Sequence, residues 1–286
     1  MVKHPSVSIV IPAYNEEGQL ALCLDSIARQ TVKPLEVIVV DNNSTDGTVD
    51  VARRYPFVTV LSEWRQGVVH ARDCGFDAAR GDIIGRIDAE TVMAPDWVQK
   101  VQDVFAGSDI DAVSGAIGFT DVPFEPVFAQ IELFLRTYLA RNLGRRNELF
   151  LYGGNMAMRR QAWHSIKTEL CNDHAFHEDQ DMAAHFAHTS YKLAFDKSLR
   201  ARISARRIDT PLNSYYPYVV ANSRTYAAHG LRGRFYMYPV EFVVVVFYPL
   251  LRVLYRAHDP ATGKLSFKRI FQTEASVRVS PVSENI

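Results

Sequence analysis

Short apolar runs alternate with amphipathic segments through the first hundred residues. The runs are rich in Val and Ile, which is typical of buried strands, and they occupy residues 7–11, 35–40, 58–61 and 83–88. The segments between and after them have helical spacing and lie near residues 20–27, 48–54, 68–79 and 95–106. Because strands that alternate with helices form parallel sheets covered on both faces, the pattern predicts an α/β fold with a mostly parallel central sheet flanked by helices.

The pattern changes after residue 110. A long helix is predicted over 124–143, with an apolar stripe made by Phe128, Ile131, Leu135 and Leu139. We see neither a linker nor a repeat, so we expect one catalytic domain over 1–210, with a first half over about 1–110 and a second over about 111–210. Residues 211–286 are expected to form a helical, basic and aromatic extension.

Polar residues follow three of the predicted strands. They are Pro12 to Glu16, Asp41 to Asp46, and Asp88 to Glu90. Ligands bind beyond the carboxyl ends of strands in such sheets, so these loops should share one rim. Asp88 and Glu90 are two positions apart, and in an extended chain their side chains would project to the same face as hard oxygen ligands for Mg²⁺ or Mn²⁺.

Charge is distributed unevenly along the 286 residues. The formal net charge is zero, yet residues 197–286 contain 14 Lys and Arg against 5 Asp and Glu. The acidic excess of residues 1–196 suits metal chemistry, and the basic excess of residues 197–286 suits contact with phosphate or a membrane surface. Nucleic acid would require a larger basic excess, so we expect no nucleic-acid partner.

Cysteine and histidine spacing favours no metal site. Cys23, Cys74 and Cys171 resemble neither a disulfide framework nor a zinc site. His174, His177, His185 and His188 are close in sequence but lack a tight pair such as H-E-x-x-H, so we expect surface or core histidines. The N-terminus enters a strand without the apolar region of a secretion signal, which favours a reducing cytosol.

Several motifs then agree in order. The chain reads Val-Ser-Ile-Val-Ile-Pro-Ala-Tyr-Asn-Glu-Glu at 7–17, Val-Asp-Asn-Asn-Ser-Thr-Asp-Gly-Thr at 40–48, Asp-Ala-Glu at 88–90, Gly-Gly-Asn at 153–155 and His-Glu-Asp-Gln-Asp at 177–181. An ordered series is far more specific than any one member. Over roughly residues 5–205 the chain resembles a family 2 glycosyltransferase with the A-type nucleotide-sugar-binding fold.

The resemblance implies a role for each motif. Asp88 and Glu90 would bind Mn²⁺ or Mg²⁺, although the family usually has Asp-x-Asp and Glu90 departs from it. Asp179 would be the base that deprotonates the acceptor, with Glu178 orienting it or contacting the acceptor. Residues expected to bind substrate are Pro12, Ala13, Tyr14, Glu16, Asp41, Asn43, Arg72, Ala89, Gly154, Asn155, Asp181, Arg206 and Arg207.

Simpler structural roles remain open for most of these residues. Asp41 could serve a turn, Arg72 could pair with Asp73 or Asp77, and residues 178–181 could cap a helix. Gly153 and Gly154 could form a plain turn, and Arg206 with Arg207 could be a solvated basic loop instead of a diphosphate contact.

The tail from 231 to 258 mixes apolar and aromatic residues with flanking arginines. Its longest apolar run, Phe242 to Leu251, is too short to span a bilayer. Peripheral contact with an anionic membrane and a helix packed on the domain or in a homodimer are equally compatible with this composition.

We therefore expect a metal-dependent inverting glycosyltransferase, cytoplasmic or at the inner face of the cell membrane. It would move a sugar from a UDP- or GDP-linked donor to a hydroxyl of a glycan or lipid-linked acceptor. A nucleotidyltransferase or sugar-phosphate pyrophosphorylase, and a catalytically silent nucleotide-sugar-binding scaffold, are the rival hypotheses.

Overall fold

A computed structural model describes residues 4–171, 176–260 and 262–271. His174 and the last part of the predicted extension, residues 272–286, lie outside the described residues. The described part is an α/β structure around one central sheet.

Eight strands form this mixed sheet in the order β3-β2-β1-β4-β7-β6-β8-β5. The strands are β1 (Val7–Ala13), β2 (Glu36–Asp41), β3 (Val58–Ser62), β4 (Ile83–Arg86), β5 (Val92–Met93), β6 (Ala112–Phe119), β7 (Met156–Arg159) and β8 (Leu193–Ile203). Strands β1 to β4 are mutually parallel, as the alternation of strands and helices predicts. β7 runs antiparallel to both β4 and β6, and this reversal was not predicted.

Nine α-helices are found in the described residues. They are α1 (Glu17–Ala28), α2 (Thr48–Arg53), α3 (Val68–Ala78), α4 (Trp97–Phe105), α5 (Glu125–Gly144), α6 (Arg160–Ile166), α7 (Glu178–Ala187), α8 (Leu212–Ala228) and α9 (Arg234–Ala257). Short 3₁₀ helices occupy Arg206–Asp209 and Phe267–Phe271. The prediction of a long helix over 124–143 is confirmed by α5.

Alternate residues of each buried strand face two separate hydrophobic cores. On β1, Ile9 and Ile11 pack in the core that contains α1 and α4, whereas Val10 packs in the core that contains α3, α6 and α7. This division explains why the strands read as continuous apolar runs: both of their faces are covered.

The C-terminal helices differ from the rest because much of their apolar surface is exposed. α8 and α9 pack together, and buried Glu241 of α9 accepts hydrogen bonds from the Ser223 backbone N–H and hydroxyl. The outward side of α9 exposes Phe235, Tyr238, Phe242, Val243, Val246, Phe247, Leu250 and Val253. The 24-residue helix is long and apolar enough to cross a membrane by length and composition, which the shorter run Phe242 to Leu251 did not suggest.

The predicted division of the chain at residue 210 stays a prediction. It falls between the 3₁₀ helix Arg206–Asp209 and the start of α8 at Leu212. The two predicted halves of the catalytic domain share one sheet, since β4 pairs with β7 and β5 pairs with β8.

Two helical glycines give a matched test of how tightly α3 packs on the sheet. A Cβ at Gly75 would overlap Val10 Cγ1 and lie 2.9 Å from Val40 Cγ2, whereas a Cβ at Gly18 would meet nothing within 4 Å. Gly75→Ala should therefore lower the free energy of unfolding by about 1–3 kcal/mol, because overpacking outweighs the gain in helix propensity. Gly18→Ala should leave it unchanged or raise it by up to about 1 kcal/mol. Denaturant unfolding of both variants tests this prediction, and an equal effect at the two positions would contradict it.

Candidate functional site

The loops that follow β1 and β2 are tied together at one edge of the sheet, as predicted. Asn15 Oδ1 accepts a hydrogen bond from the Thr45 backbone N–H at 2.8 Å, and the Glu16 N–H donates to Thr48 Oγ1 at 2.8 Å. Asp41 ends β2 beside Ala13 of β1, and its Oδ1 accepts from the Ser44 N–H at 3.2 Å. Asp41 therefore stabilises the turn after β2, as the sequence allowed, and its side chain is half-buried at the rim.

Other predicted residues of this rim differ in what their side chains can offer. Ala13 and Ala89 are buried in the hydrophobic core, so only their backbone atoms could contact a ligand. Pro12 and Tyr14 are half-buried. Asn43 donates its amide N–H to the Trp64 carbonyl at 2.8 Å and so ties the β2 loop to the β3 loop.

Asp88 and Glu90 lie on a turn, not on an extended strand. β4 ends at Arg86, and the Thr91 N–H donates to the Asp88 carbonyl at 2.9 Å, which closes a four-residue turn. The expectation that alternation along a strand places both carboxylates on one face is therefore wrong. The Asp88 side chain is 27% exposed, whereas that of Glu90 is 2% exposed.

Arg206 holds the Glu90 carboxylate. Its Nε lies 2.5 Å from Glu90 Oε2, and its Nη2 lies 2.6 Å from Glu16 Oε2. One guanidinium thus joins the β1 loop, the turn at 88–91 and the 3₁₀ helix that follows β8. Arg207 points elsewhere, since its guanidinium carbon lies 3.9 Å from the centre of the Tyr218 ring. The alternative of a solvated basic loop is thereby excluded for Arg206.

A buried ionic network connects the turn to the start of α7. Arg86 Nη2 lies 2.8 Å from Glu178 Oε1 and 3.2 Å from Asp88 Oδ1, and Arg72 Nη1 lies 2.8 Å from Glu178 Oε2. The two arginines are almost fully buried. Burial raises the pKa of Glu178, and the charges of Arg86 and Arg72 oppose that shift. The Glu178 carboxylate is thus held by two guanidinium partners and is not a free base.

The network also fixes the role of Arg72. Besides Glu178, its guanidinium contacts Asp73 at 2.7 Å, which is one of the structural partners that the sequence allowed. With its side chain 1% exposed, Arg72 reaches phosphate only through a rearrangement of this network.

Asp88 and Asp179 meet the same dipeptide, Gly153-Gly154. The Gly153 N–H donates to Asp179 Oδ2 at 2.8 Å, and a Cβ at Gly154 would lie 3.2 Å from Asp88 Oδ2. A Cβ at Gly153 would overlap the Arg86 guanidinium. Gly153 is therefore required by the close approach of the Arg86 guanidinium, and at Gly154 an added Cβ would press on the Tyr152 ring and the Asp88 carboxylate.

Two predicted binding residues make their side-chain contacts inside the protein. Asn155 is fully buried: its amide donates to the Ala116 and Leu199 carbonyls at 2.9 and 3.0 Å and accepts from Trp97 Nε1 at 2.7 Å. The expected sugar contact of its side chain is wrong, because both amide N–H groups and the oxygen are engaged inside the protein. Asp181 is likewise buried, and its carboxylate accepts from the Cys171 N–H and contacts His229.

Arg86 is the site residue that the sequence analysis missed. It is the one charged residue of β4, and it lies two positions before Asp88. A cation inside an otherwise apolar strand needs a buried anion, and that requirement was the available signal. Arg136 and Tyr152 were also missed; the Arg136 guanidinium carbon lies 4.2 Å from the centre of the Tyr152 ring, next to Gly153.

Comparison with known sequences gives one family and several partial relatives. Residues 8–166 match the family described as Glycosyl transferase family 2. Glycosyltransferase AglE of Haloferax volcanii is 28% identical over 150 residues, which is 50% of this chain and 49% of the relative. The putative glycosyltransferase EpsH of Bacillus subtilis is 33% identical over 113 residues, covering 38% of this chain and 33% of EpsH. The chain thus spans about half or less of these curated relatives.

Solved structures share the fold. A mannosyltransferase from Pyrobaculum calidifontis, PcManGT, in complex with GDP-Man and Mn²⁺, has a TM-score of 0.62 at 20% identity. The match covers 91% of this chain and 74% of the PcManGT chain. TarS 1-349 of S. aureus in complex with UDP-GlcNAc has a TM-score of 0.55 at 14% identity, and the match covers 85% of this chain and 72% of TarS 1-349. At these identities the likeness supports the fold alone.

The sequence match covers more than half of the chain, and it includes the β1 loop, Asp41, Arg86 and the turn at 88–91. The mixed sheet agrees with the A-type glycosyltransferase fold of the structural neighbours. The chain belongs to glycosyl transferase family 2.

Proposed function

We propose that this protein is a metal-dependent inverting glycosyltransferase, which moves one sugar from a nucleoside diphosphate donor to a hydroxyl of a glycan or lipid-linked acceptor. One observation carries the proposal: Asp88 and Asp179, 91 positions apart by number, meet at Gly153-Gly154. A reacting sugar could lie between the two carboxylates at this point.

Asp179 is the proposed base. It lies at the first turn of α7, is half-buried, and is oriented by the Gly153 N–H. In the transfer, the acceptor oxygen would form the new bond to sugar C1 as its proton passes to Asp179, and the bond from C1 to the diphosphate oxygen would break with both electrons on the leaving group. Attack on the face opposite the nucleotide inverts the configuration.

The turn at 88–91 supplies a donor set that fits a hard cation. Both ligands are carboxylates, Asp88 is partly exposed, and the charge of Glu90 is balanced by Arg206. Bound Mn²⁺ or Mg²⁺ would neutralise charge on the departing diphosphate. Arg206 would release Glu90 and move to a phosphate oxygen, a ligand for which arginine is well suited.

The donor class is supported by the structural neighbours. PcManGT is seen with GDP-Man and TarS with UDP-GlcNAc, so both a guanine and a uracil nucleotide occur in this fold. In this chain the Asp41 carboxylate would accept hydrogen bonds from the base, and Tyr14 would pack near it. Backbone atoms of Pro12, Ala13 and Ala89 would complete the pocket.

Family membership disfavours the nucleotidyltransferase hypothesis, and turnover separates an enzyme from a silent scaffold. A scaffold would bind the nucleotide sugar and never consume it.

The exposed apolar side of α9 is proposed to lie on the inner face of a membrane, where a lipid-linked acceptor would be found. α5 contacts α9 and adds exposed Phe124, Val127, Ile131, Phe134 and Tyr138. Patches of this extent are unusual on a surface that faces only water. Glu241 is the single acidic residue of α9 and it is buried, so the outward side carries no negative charge that would oppose an anionic bilayer.

Replacement of the proposed base separates chemistry from binding. Asp179→Asn keeps an oxygen acceptor for the Gly153 N–H but removes the proton acceptor, so turnover should fall by about 10²- to 10⁴-fold. Thermal stabilisation by UDP- or GDP-sugars should persist. Asp103→Asn, on the exposed side of α4, is the matched control and should keep full activity. Normal turnover by the Asp179 variant would remove the assignment.

The competition between Arg206 and a cation predicts opposite effects of two substitutions on Mn²⁺ binding. Arg206→Gln should tighten Mn²⁺ binding to the donor-free protein by roughly three- to tenfold, equivalent to about 1 kcal/mol of lost ion pairing. Asp88→Ala should abolish it. Arg207→Gln controls for the loss of one charge, because Arg207 packs on Tyr218. Titration followed by Mn²⁺ electron paramagnetic resonance measures all four proteins, and equal affinity throughout would refute the proposed ligand set.

Membrane contact is tested by flotation with liposomes that contain anionic lipid. The full chain should float, and Phe242→Glu/Phe247→Glu should not, because each substitution places a charge on the outward side of α9. Leu22→Glu/Leu35→Glu makes the same change at two exposed leucines outside this surface and should still float. If the wild type does not float but forms a dimer that the α9 variant disrupts, the surface is a dimer contact and the membrane proposal fails.

A further inference from the structure

The structure assigns a second metal site to a place that the proposed transfer reaction does not use. Cys171, Asp181, His185 and His229 converge, and one ligand atom from each lies within 4.8 Å of the others. We propose that these four residues bind one Zn²⁺ ion, which fastens the end of α8 to α7. The expectation of ordinary surface or core histidines does not account for this convergence.

The distances fit a tetrahedral ion after small movements. Cys171 Sγ lies 3.8 Å from His185 Nε2 and 4.0 Å from His229 Nε2, and Asp181 Oδ1 lies 3.7 Å from His185 Nε2. With bonds of about 2.0–2.3 Å to zinc, neighbouring ligand atoms are about 3.3–3.6 Å apart. The pair His229 Nε2 and Asp181 Oδ1 is closer, at 2.8 Å, and has to open by about 0.5 Å when a metal replaces the shared proton.

The donor types select the metal. A thiolate and two imidazoles favour Zn²⁺ and other borderline-soft ions, whereas Mg²⁺ and Mn²⁺ prefer sites made of oxygen. The two metal sites of this chain would therefore not exchange ions freely: oxygen ligands at Asp88 and Glu90, and mixed sulfur, nitrogen and oxygen ligands here. Four protein ligands leave no open position, which is typical of a structural site.

Surrounding contacts already orient the ligands. The Cys171 N–H donates to Asp181 Oδ2 at 2.9 Å, which leaves Oδ1 directed at the two histidines. Asp181 and His185 are one turn apart on the same side of α7. His188 Nε2 lies 3.1 Å from the His229 carbonyl and so ties the end of α7 to the residue that follows α8. These contacts hold the Asp181 carboxylate and the backbone of His229 in place, and hydrogen bonds to ligand groups orient them for a metal.

Burial makes this cluster of polar side chains energetically unfavourable unless an ion is bound. The Asp181 side chain is 2% exposed, and those of His229 and His185 are 11% and 19% exposed. Two imidazoles compete for one oxygen of Asp181, and a thiol is a weak hydrogen-bond partner for either ring. A divalent cation would satisfy all four ligands at once.

The test is metal binding by the purified full chain, which is independent of the transfer reaction. After removal of metal with a chelator, the wild type should bind one equivalent of Zn²⁺, and its melting temperature should rise. Cys171→Ser and His229→Gln should each weaken Zn²⁺ binding at least tenfold in competition with a chromophoric chelator. Cys74→Ser and His164→Gln replace the same residue types outside the cluster and should bind as the wild type does.

Cobalt substitution tests the ligand set directly. Co²⁺ in the wild type should give intense visible bands of tetrahedral coordination and a near-ultraviolet charge-transfer band from the thiolate. Cys171→Ser should lose the charge-transfer band, and Cys74→Ser should retain it. An octahedral spectrum, or Zn²⁺ binding equal in the cluster and control variants, would overturn the proposal. Circular dichroism confirms that each variant is folded before it is scored.

Discussion

The salt bridges of Glu178 with Arg86 and Arg72 are the constraint on which the candidate site depends. Arg86 belongs to β4, Arg72 to α3 and Glu178 to α7, and all three side chains are shielded from water. A buried charge without its partner costs several kcal/mol, so these elements have to meet at this place. Their meeting brings the first turn of α7, and Asp179 with it, to the loop that leaves β4. The glycines at 153 and 154 provide the space that this approach requires.

The parallel half of the fold could be predicted because its signals are local. The strands are mostly apolar, a helix follows each of β1, β2 and β3 within a few residues, and the ends of β1 to β4 agree with the prediction to within two residues. The antiparallel half could not be predicted in this way. β7 contains only four residues, and its partners β4 and β6 are distant in sequence, so pairing there is decided by long-range packing.

The acidic residues of the candidate site could be named from the sequence, but the residues that surround them could not. Asp88 and Glu90 could be named because carboxylates that follow a strand suit a hard cation, and Asp179 because the resemblance to family 2 glycosyltransferases implies it. Asp88 and Glu90 do not share one face of a strand, since the chain turns after Arg86. Asn155 was misassigned because an amide next to two glycines has the same sequence signature whether it faces a sugar or the core. Only the coordinates reveal that Trp97 and two carbonyls already use its hydrogen-bonding capacity.

Helix geometry explains how three acidic residues at the start of α7 come to contact three different groups. Successive residues of an α-helix point about 100° apart, so Glu178, Asp179 and Asp181 diverge at the start of α7. The first meets two arginines, the second the Gly153 N–H, and the third Cys171 and His229. The acidic run that looks uniform in sequence is therefore divided into a residue held by two arginines, a proposed base and a proposed zinc ligand. Because the three residues lie on one helical turn, an ion that held Asp181 would also limit the movement of Asp179, so the proposed zinc site would steady the proposed base.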